Sequence, residues 1–118
     1  MLAIDDDAAI LNAVRRMLRG LPIRLLCLAS AEEALEVIRI QAPAVIVSDH
    51  RLPGISGIEL LVHVRSRWPW MRTLLHTGDS TARERAAQLR LAVVEKGAPP
   101  DTLRAMVQSL LGDDPRGG

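Results

Sequence analysis

The sequence predicts a doubly wound α/β domain, with five parallel strands in one sheet and five helices flanking it. Short apolar runs alternate with longer segments whose apolar residues recur at helical spacing. The run Ala44-Val45-Ile46-Val47 is continuously apolar and largely β-branched, the pattern of a strand covered on both faces. Such alternation builds a parallel sheet through right-handed crossovers, with ligands collecting beyond the carboxyl ends of the strands.

Strand one is Leu2-Ala3-Ile4, ended by three carboxylates, Asp5, Asp6 and Asp7. Helix one runs from Ala8 to Leu18, its apolar Ile10, Val14, Met17 and Leu18 on one face, and Gly20 and Pro22 close it. Ile23 to Leu28 reads as strand two, interrupted only by Arg24. Ser30 and Glu33 form a capping-box signature for helix two, which puts Ala34, Leu35 and Ile38 inward and stops at Pro43. Strand three, residues 44–47, ends at Ser48-Asp49. After the Pro53-Gly54 turn a second capping box, Ser56 with Glu59, opens helix three, with Leu60, Leu61 and Val64 inward.

Trp68-Pro69-Trp70 breaks that helix, and Met71 to Leu75 begins strand four, which ends at Thr77. Thr81 with Glu84 predicts the cap of a short, arginine-rich helix four reaching to about Arg90. Leu91-Ala92-Val93-Val94 is strand five, followed directly by Lys96. Pro100 suits a first helical position, and Leu103, Met106, Val107 and Leu110 mark helix five. The domain is expected over residues 1–111, with residues 112–118 a polar, Gly-rich tail or the start of a linker.

Composition narrows the function classes. With 118 residues there is room for one domain, and 48% hydrophobic with 25% charged residues is ordinary globular usage. A net charge of +1 gives no global field for nucleic acid or membrane, so neither is an expected partner. No apolar run approaches the roughly 18 residues of a membrane span, and no leader pattern opens the chain. The lone Cys27 excludes an internal disulfide framework and suits a reducing compartment, so the expected location is cytoplasmic.

Four strand ends carry the chemistry. Asp5, Asp6 and Asp7 follow strand one, Asp49 follows strand three, Thr77 ends strand four and Lys96 follows strand five. Of 15 basic residues, every one but Lys96 is arginine. A single Asp after a strand is usually a helix cap, and a single Thr is usually packing. Their convergence on one sheet edge is another matter. Carboxylates that crowd together repel unless a cation sits among them, and an all-oxygen donor set suits Mg²⁺ or Mn²⁺ rather than zinc. A point charge and a hydroxyl beside such a cation suit the oxygens of a phosphoryl group. A carboxylate held there can itself be the nucleophile, and Asp49, ending the central strand, is the best placed.

These residues resemble the receiver domains of two-component response regulators along nearly the whole chain. The resemblance rests on Ile4-Asp5-Asp6, on Val47-Ser48-Asp49 running into Leu52-Pro53-Gly54 and Gly57, and on Thr77-Gly78 and Lys96. It implies the flavodoxin-like receiver fold with strand order 2-1-3-4-5. It implies that Asp49 accepts a phosphoryl group from the phosphohistidine of a sensor histidine kinase or phosphotransfer protein. Asp6 and Asp49 would hold Mg²⁺ directly and Asp5 through water, with the backbone carbonyl of Arg51 as a further ligand. Thr77 and Lys96 would contact the phosphoryl oxygens. Asp7 is then left to cap helix one. Such a domain is not a metabolic enzyme; it promotes only its own phosphorylation and dephosphorylation. Its further partners would be an output domain or target protein, and a second copy pairing through helix four, strand five and helix five.

The sequence departs from the family pattern in four ways. Gly97 stands where proline usually follows the lysine, so the loop is expected to be trans or remodelled. Val93 occupies the strand-five position of the usual aromatic residue, and the chain has no Tyr or Phe. The stretch from Thr77 to Lys96 is short and lacks the usual Ala-Gly-Ala turn, so helix four is expected to be shortened or irregular. Strand one has little overhang before it.

Two other readings compete. A pseudo-receiver would use the same fold as a phosphorylation-independent interaction module, which Val93 and Gly97 favour and the full set of site residues opposes. A small phosphohydrolase of the haloacid-dehalogenase kind would use Asp5 and Asp7 as an Asp-x-Asp signature, with Asp49 expendable. His50, His63 and His76 lack ligand spacing, and His76 is expected to be a buried imidazole. Cys27 is expected to be inert packing, Trp68 and Trp70 to cap the core, and Arg83, Arg85 and Arg90 to face solvent. Arg51 and Asp79 lie two residues beyond Asp49 and Thr77; they are expected to flank the site, to pair, and to tune attack by water.

Overall fold

The computed structural model describes residues 1–112; of the tail expected at 112–118, Gly112 is instead the last residue of the final helix and 113–118 lie outside the described residues. The strands are β1 (Leu2–Ile4), β2 (Leu26–Leu28), β3 (Val45–Ser48), β4 (Arg72–Thr77) and β5 (Ala92–Glu95). The helices are α1 (Ala8–Met17), α2 (Ala31–Ile40), α3 (Gly57–Arg67), α4 (Ser80–Gln88) and α5 (Pro100–Gly112). The sheet is parallel throughout with the order β2-β1-β3-β4-β5.

Alternation along the strands divides the core into two layers, because successive side chains point to opposite faces. Leu2, Ile4, Ile46 and Leu75 pack against α2, α3 and α4. Ala3, Val45, Val47 and Leu74 pack against α1 and α5 through Val14, Leu18, Leu103 and Val107. Polar links set how the helices sit on these layers. Arg104 of α5 donates to the carbonyls of Met17 and Arg19 at the end of α1. Arg65 of α3 donates to the carbonyl of Leu89 after α4. Trp68 and Trp70 are half-buried against the α2–α3–α4 layer, Trp68 with its ring edge-on to His63.

Several boundaries differ from the sequence expectation for identifiable reasons. The second strand is Leu26–Leu28 rather than 23–28, because this edge strand pairs only with the three residues of β1. Ile23 and Leu25 pack into the α1–α5 layer from the preceding loop instead. Cys27 is accordingly half-buried, and burial pushes its thiol pKa up. Strands three, four and five each begin one residue later than expected.

The caps also differ in part. Ser56 and Glu59 form the full capping box. Ser30 caps α2, but Glu33 reaches past it to the amide of Ala29, so that box is only half formed. Thr81 and Glu84 do not cap α4. Asp79 does, accepting from the amides of Thr81 and Ala82, which places Thr81 inside the first turn. At its other end α4 stops at Gln88 in a Schellman arrangement, with Arg90 N–H to Ala87 and Leu91 N–H to Ala86. Arg90 takes the left-handed conformation there, φ 58°, a position that usually favours glycine. The helix is regular and, at nine residues, the shortest of the five.

Two local features fix the loop that carries Asp49 into α3. Glu32 of α2 accepts from the amide of Ile55 at 3.2 Å, pinning the turn. Gly57, at the start of α3, lies so close to the preceding strand end that a Cβ would sit 1.8 Å from the carbonyl oxygen of Asp49. No rotamer change can relieve a backbone collision of that kind, and overpacking of a fixed site costs about 1–3 kcal/mol. We expect Gly57→Ala to lower the unfolding free energy by about 2 kcal/mol, read from the urea midpoint. A midpoint equal to the parent's would show that the loop yields without cost.

Candidate functional site

Each strand that reaches the carboxyl edge delivers one group to it. The amide of Asp5 donates to Leu28 and that of Asp49 to Ile4, extending the sheet by one residue at each carboxylate. The amide of Lys96 does the same for β5, donating to the carbonyl of Thr77. The peptide bonds on both sides of Gly97 are trans, as expected for a loop without proline.

Asp5 is 3% exposed and Asp49 7%, whereas Asp6 is open to solvent. Ligand atoms of these three carboxylates lie within 4.8 Å of one another, a set able to hold a metal ion. One oxygen of each buried carboxylate is fixed by backbone: Asp5 Oδ1 accepts from the amide of Asp7, and Asp49 Oδ1 from the amide of His50. The other oxygens face Lys96, whose Nζ is 2.8 Å from Asp5 Oδ2 and 3.2 Å from Asp49 Oδ2. Burial pulls the Lys96 pKa down, but the hydrogen bond to Asp5 and the charge of Asp49 outweigh it and hold the ammonium above its usual range. Asp7 is turned away, accepting from the amide of Ala9 as the cap of α1. Asp5 and Asp7 therefore do not act together at the site, which removes the Asp-x-Asp reading.

Beside the carboxylates an open cleft of about 330 Å³ is lined by Asp49, Arg51, Thr77, Gly78, Asp79 and Lys96. Thr77 is 1% exposed, and its hydroxyl oxygen accepts from the amide of Asp79 at 3.1 Å, leaving its own O–H to donate. Arg51 and Asp79 form the expected pair, with Nη2 to Oδ2 at 3.2 Å; the guanidinium is largely exposed and Asp79 mostly covered. The amide of Ala82 holds the Asp79 carboxyl below its ordinary pKa, with Arg51 and the amide of Thr81 adding to it.

The sequence reading did not single out three contributors. The amide of His50 fixes an oxygen of Asp49, Glu32 secures the adjacent turn, and Ser48 donates its hydroxyl to the carbonyl of Asp49 at 2.8 Å. A backbone amide has no residue-type signal, and Glu32 belongs to a helix distant in sequence. Only Ser48, beside Asp49, was open to inference.

A family model described as the response regulator receiver domain matches residues 1–108. The hydrogenase transcriptional regulatory protein HoxA of Cupriavidus necator is 32% identical over 96% of this chain and 25% of its own length. The DNA-binding transcriptional regulator NtrC of Klebsiella pneumoniae is 31% identical over 65% of this chain and 16% of its own. The chain thus spans a quarter or less of these curated relatives. Among solved structures, a BeF3-activated DrrB receiver domain superposes with a TM-score of 0.82 at 27% identity, covering 94% of this chain and 95% of that one. A CheY-like receiver domain protein from Methanospirillum hungatei gives 0.85 at 25% identity, covering 99% and 96%.

Two predictions follow from the charges. Lys96 shares two carboxylates with the candidate cation position, and opposed unit charges at such distances interact by about 4 kcal/mol at an effective dielectric constant near 20, reduced by relaxation. Lys96→Met should therefore raise affinity for a divalent cation about tenfold or more in a calorimetric titration with Mg²⁺; unchanged affinity would show that the ammonium does not compete. His76, 5% exposed beneath the site, has its pKa lowered from 6.5 by burial first and by Lys96 second. The unfolded chain then takes up the proton at a higher pH than the folded one, so the contribution to stability is full above pH 6.5 and is lost as pH falls below it. Between pH 7 and about pH 5, His76→Gln should flatten the decline in urea midpoint; an unchanged slope would assign the decline elsewhere.

Proposed function

The chain belongs to the response regulator receiver domain family, whose role is phosphoryl-accepting signalling, and we propose that Asp49 is its phosphoryl acceptor. The single observation that supports this is the meeting of Asp49 with Asp5, Asp6 and Lys96, beside the Thr77 hydroxyl, at the mouth of one cleft. The donor set fits a hard divalent cation. It is all oxygen, two of its three carboxylates are buried, and those two share one ammonium. We assign Mg²⁺ to Asp5, Asp6 and Asp49, with the backbone carbonyl of Arg51 completing the protein ligands; when bound, it would neutralise charge on the transferring phosphoryl oxygens.

Transfer then needs little from the protein beyond position and charge. Asp49 Oδ1 is held by the amide of His50, and Oδ2, paired with Lys96, lies at the cleft. Oδ2 attacks the phosphorus of a phosphohistidine supplied by a sensor kinase or phosphotransfer protein. The P–N bond breaks with its electron pair returning to the imidazole, and an acyl phosphate remains on Asp49. Lys96 exchanges its ion pair with Asp49 for one with a phosphoryl oxygen, and the Thr77 hydroxyl donates to another. In the discharge step water attacks phosphorus, the acyl P–O bond breaks with its electron pair returning to the Asp49 carboxylate, and inorganic phosphate leaves carrying the protons of the water. The domain catalyses no other turnover in this reading.

Arg51 and Asp79 span the open side of the cleft and tune the approach of that water. The receiver is assigned to residues 1–111, in the cytoplasm, signalling to an output domain or a separate target. The length of the relatives supports an output partner, since HoxA and NtrC are transcriptional regulators far longer than this chain. Among the described residues no helix is long and apolar enough to cross a membrane.

Incubation with Mg²⁺ and acetyl phosphate, followed by intact mass, tests the acceptor directly. The parent should gain one phosphoryl group and Asp49→Asn none. Decay of the adduct should be several-fold faster in Arg51→Ala and Asp79→Ala. Absence of any adduct in the parent, joined to absence of Mg²⁺ binding, would favour the phosphorylation-independent interaction module that Val93 and Gly97 suggest.

A further inference from the structure

Helix α4 is weakly held by packing. Its buried residues are Ala82 and Ala86, two methyl groups, and the rest of its surface is polar or exposed. Its first turn is tied to the sheet by the Arg83–Glu95 pair, Nη1 to Oε2 at 3.3 Å, and to the cleft by Asp79. Oδ1 of Asp79 accepts from the amides of Thr81 and Ala82, Oδ2 pairs with Arg51, and its backbone N–H donates to the Thr77 hydroxyl. One residue therefore caps the helix and joins it to both walls of the cleft. A cap whose carboxylate and backbone are both fixed from outside is preorganised, and it loses strength when those anchors leave.

Of the two anchors, Arg51 is the one a phosphoryl oxygen would draw away. The guanidinium of Arg51 is 82% exposed, so nothing packs it in its present place. A phosphoryl group carries up to about two negative charges and offers the bidentate geometry that a guanidinium prefers, whereas Asp79 offers one charge through a single nitrogen. The Thr77 hydroxyl can donate to the same oxygens while still accepting from the Asp79 amide. The chain has no Tyr or Phe, and Val93 is the half-buried β5 residue opposite Leu75, so no Tyr hydroxyl or Phe ring stands on β5 to relay a change.

We propose that Asp79 is the residue through which phosphorylation at Asp49 reaches α4. Without the phosphoryl group, Arg51 and Thr77 hold Asp79 and the first turn of α4 is closed. With it, Arg51 turns to the phosphoryl oxygens, Asp79 keeps only the Thr77 hydroxyl as a brace, and the first turn opens more often. The coupling is reciprocal: if the phosphoryl group weakens the Arg51–Asp79 pair, loss of that pair strengthens binding of a phosphoryl mimic by the same factor. Asp79 is a positioning residue in this scheme. The inference rests on the assignment of Asp49 as acceptor.

Hydrogen exchange at the amides of residues 81–84, with and without Mg²⁺ and beryllofluoride, tests it, while the fluorine resonance of bound beryllofluoride reports occupancy. The parent should exchange several-fold faster at these amides when the mimic is bound. Asp79→Asn keeps an acceptor for the cap but loses the charge pair. It should exchange faster from the start, respond less to the mimic, and bind it several-fold more tightly. Arg51→Gln, which leaves the cap residue intact, should also exchange faster from the start and respond less to the mimic, but should not gain affinity for it, because it removes the guanidinium that the phosphoryl oxygens would take. A bound fluorine signal with unchanged exchange in the parent overturns this inference and leaves the acceptor assignment standing. No bound fluorine signal, with no adduct from acetyl phosphate, overturns the acceptor assignment and the inference with it.

Discussion

Two carboxylates buried at the ends of adjacent strands need a counter-charge, and one ammonium shared between them supplies half of it. Asp5 and Asp49 extend β1 and β3, which are neighbours in the sheet, while Lys96 follows β5 at the sheet edge. For Nζ to lie 2.8 and 3.2 Å from both, β4 and β5 must be in register and the loop after β5 must turn back across the edge. Breaking a buried pair by removing one partner leaves an uncompensated charge, typically at a cost of about 3–5 kcal/mol, so the pairs discriminate strongly among registers. The ion pairs do not by themselves make the fold stable. They define which arrangement of five strands is compatible with the carboxylates being inside.

The sheet can meet that demand because it is clad on both faces by residues chosen for fit. Its strands are three to six residues long, and their alternation sends large side chains both ways into two closed layers. Where the site needs the chain to pass close, the cladding thins to nothing: Gly57 gives α3 its start against the carbonyl of Asp49. Where the site borders α4, the packing is reduced to two alanines. Stability is therefore uneven by construction, high around β3 and low at the first turn of α4, and elements that move are drawn from the low end.

Most of the architecture was legible in the sequence, because hydrophobic period and caps both pointed the same way over α1, β3, α3 and α5. The convergence of Asp5, Asp6, Asp49, Thr77 and Lys96 was legible too, since alternating strand and helix sends every strand end to one edge. The failures have a common origin. Ile23 and Leu25 are apolar and look like strand, yet β1 is only three residues long and gives an edge strand no more to pair with. Thr81 and Glu84 fit a capping box, but Asp79 stands two residues earlier and is already held by Thr77 and Arg51, so the helix begins there. In each case a partner distant in sequence decided between two locally acceptable choices. The amide of His50 and the carboxylate of Glu32 were out of reach for the same reason.

The departures at Val93 and Gly97 leave the charged groups themselves in place: Gly97 follows Lys96 in a trans loop, and Val93 stands on β5 opposite Leu75. Removal of an aromatic from β5 deletes one possible relay, and an arginine held at φ 58° closes α4 with a residue that pays a conformational penalty there. A helix that is penalised at its end, thinly packed along its length and capped by a residue on loan to the site has little holding it in one state. A signal of modest free energy can then move it, because the size of a population shift depends on the gap between states and not on the mass of the element that moves. Chemistry retained at the sheet edge and an altered output side are thus compatible, provided the route between them runs through the cap of α4 rather than through a ring in β5.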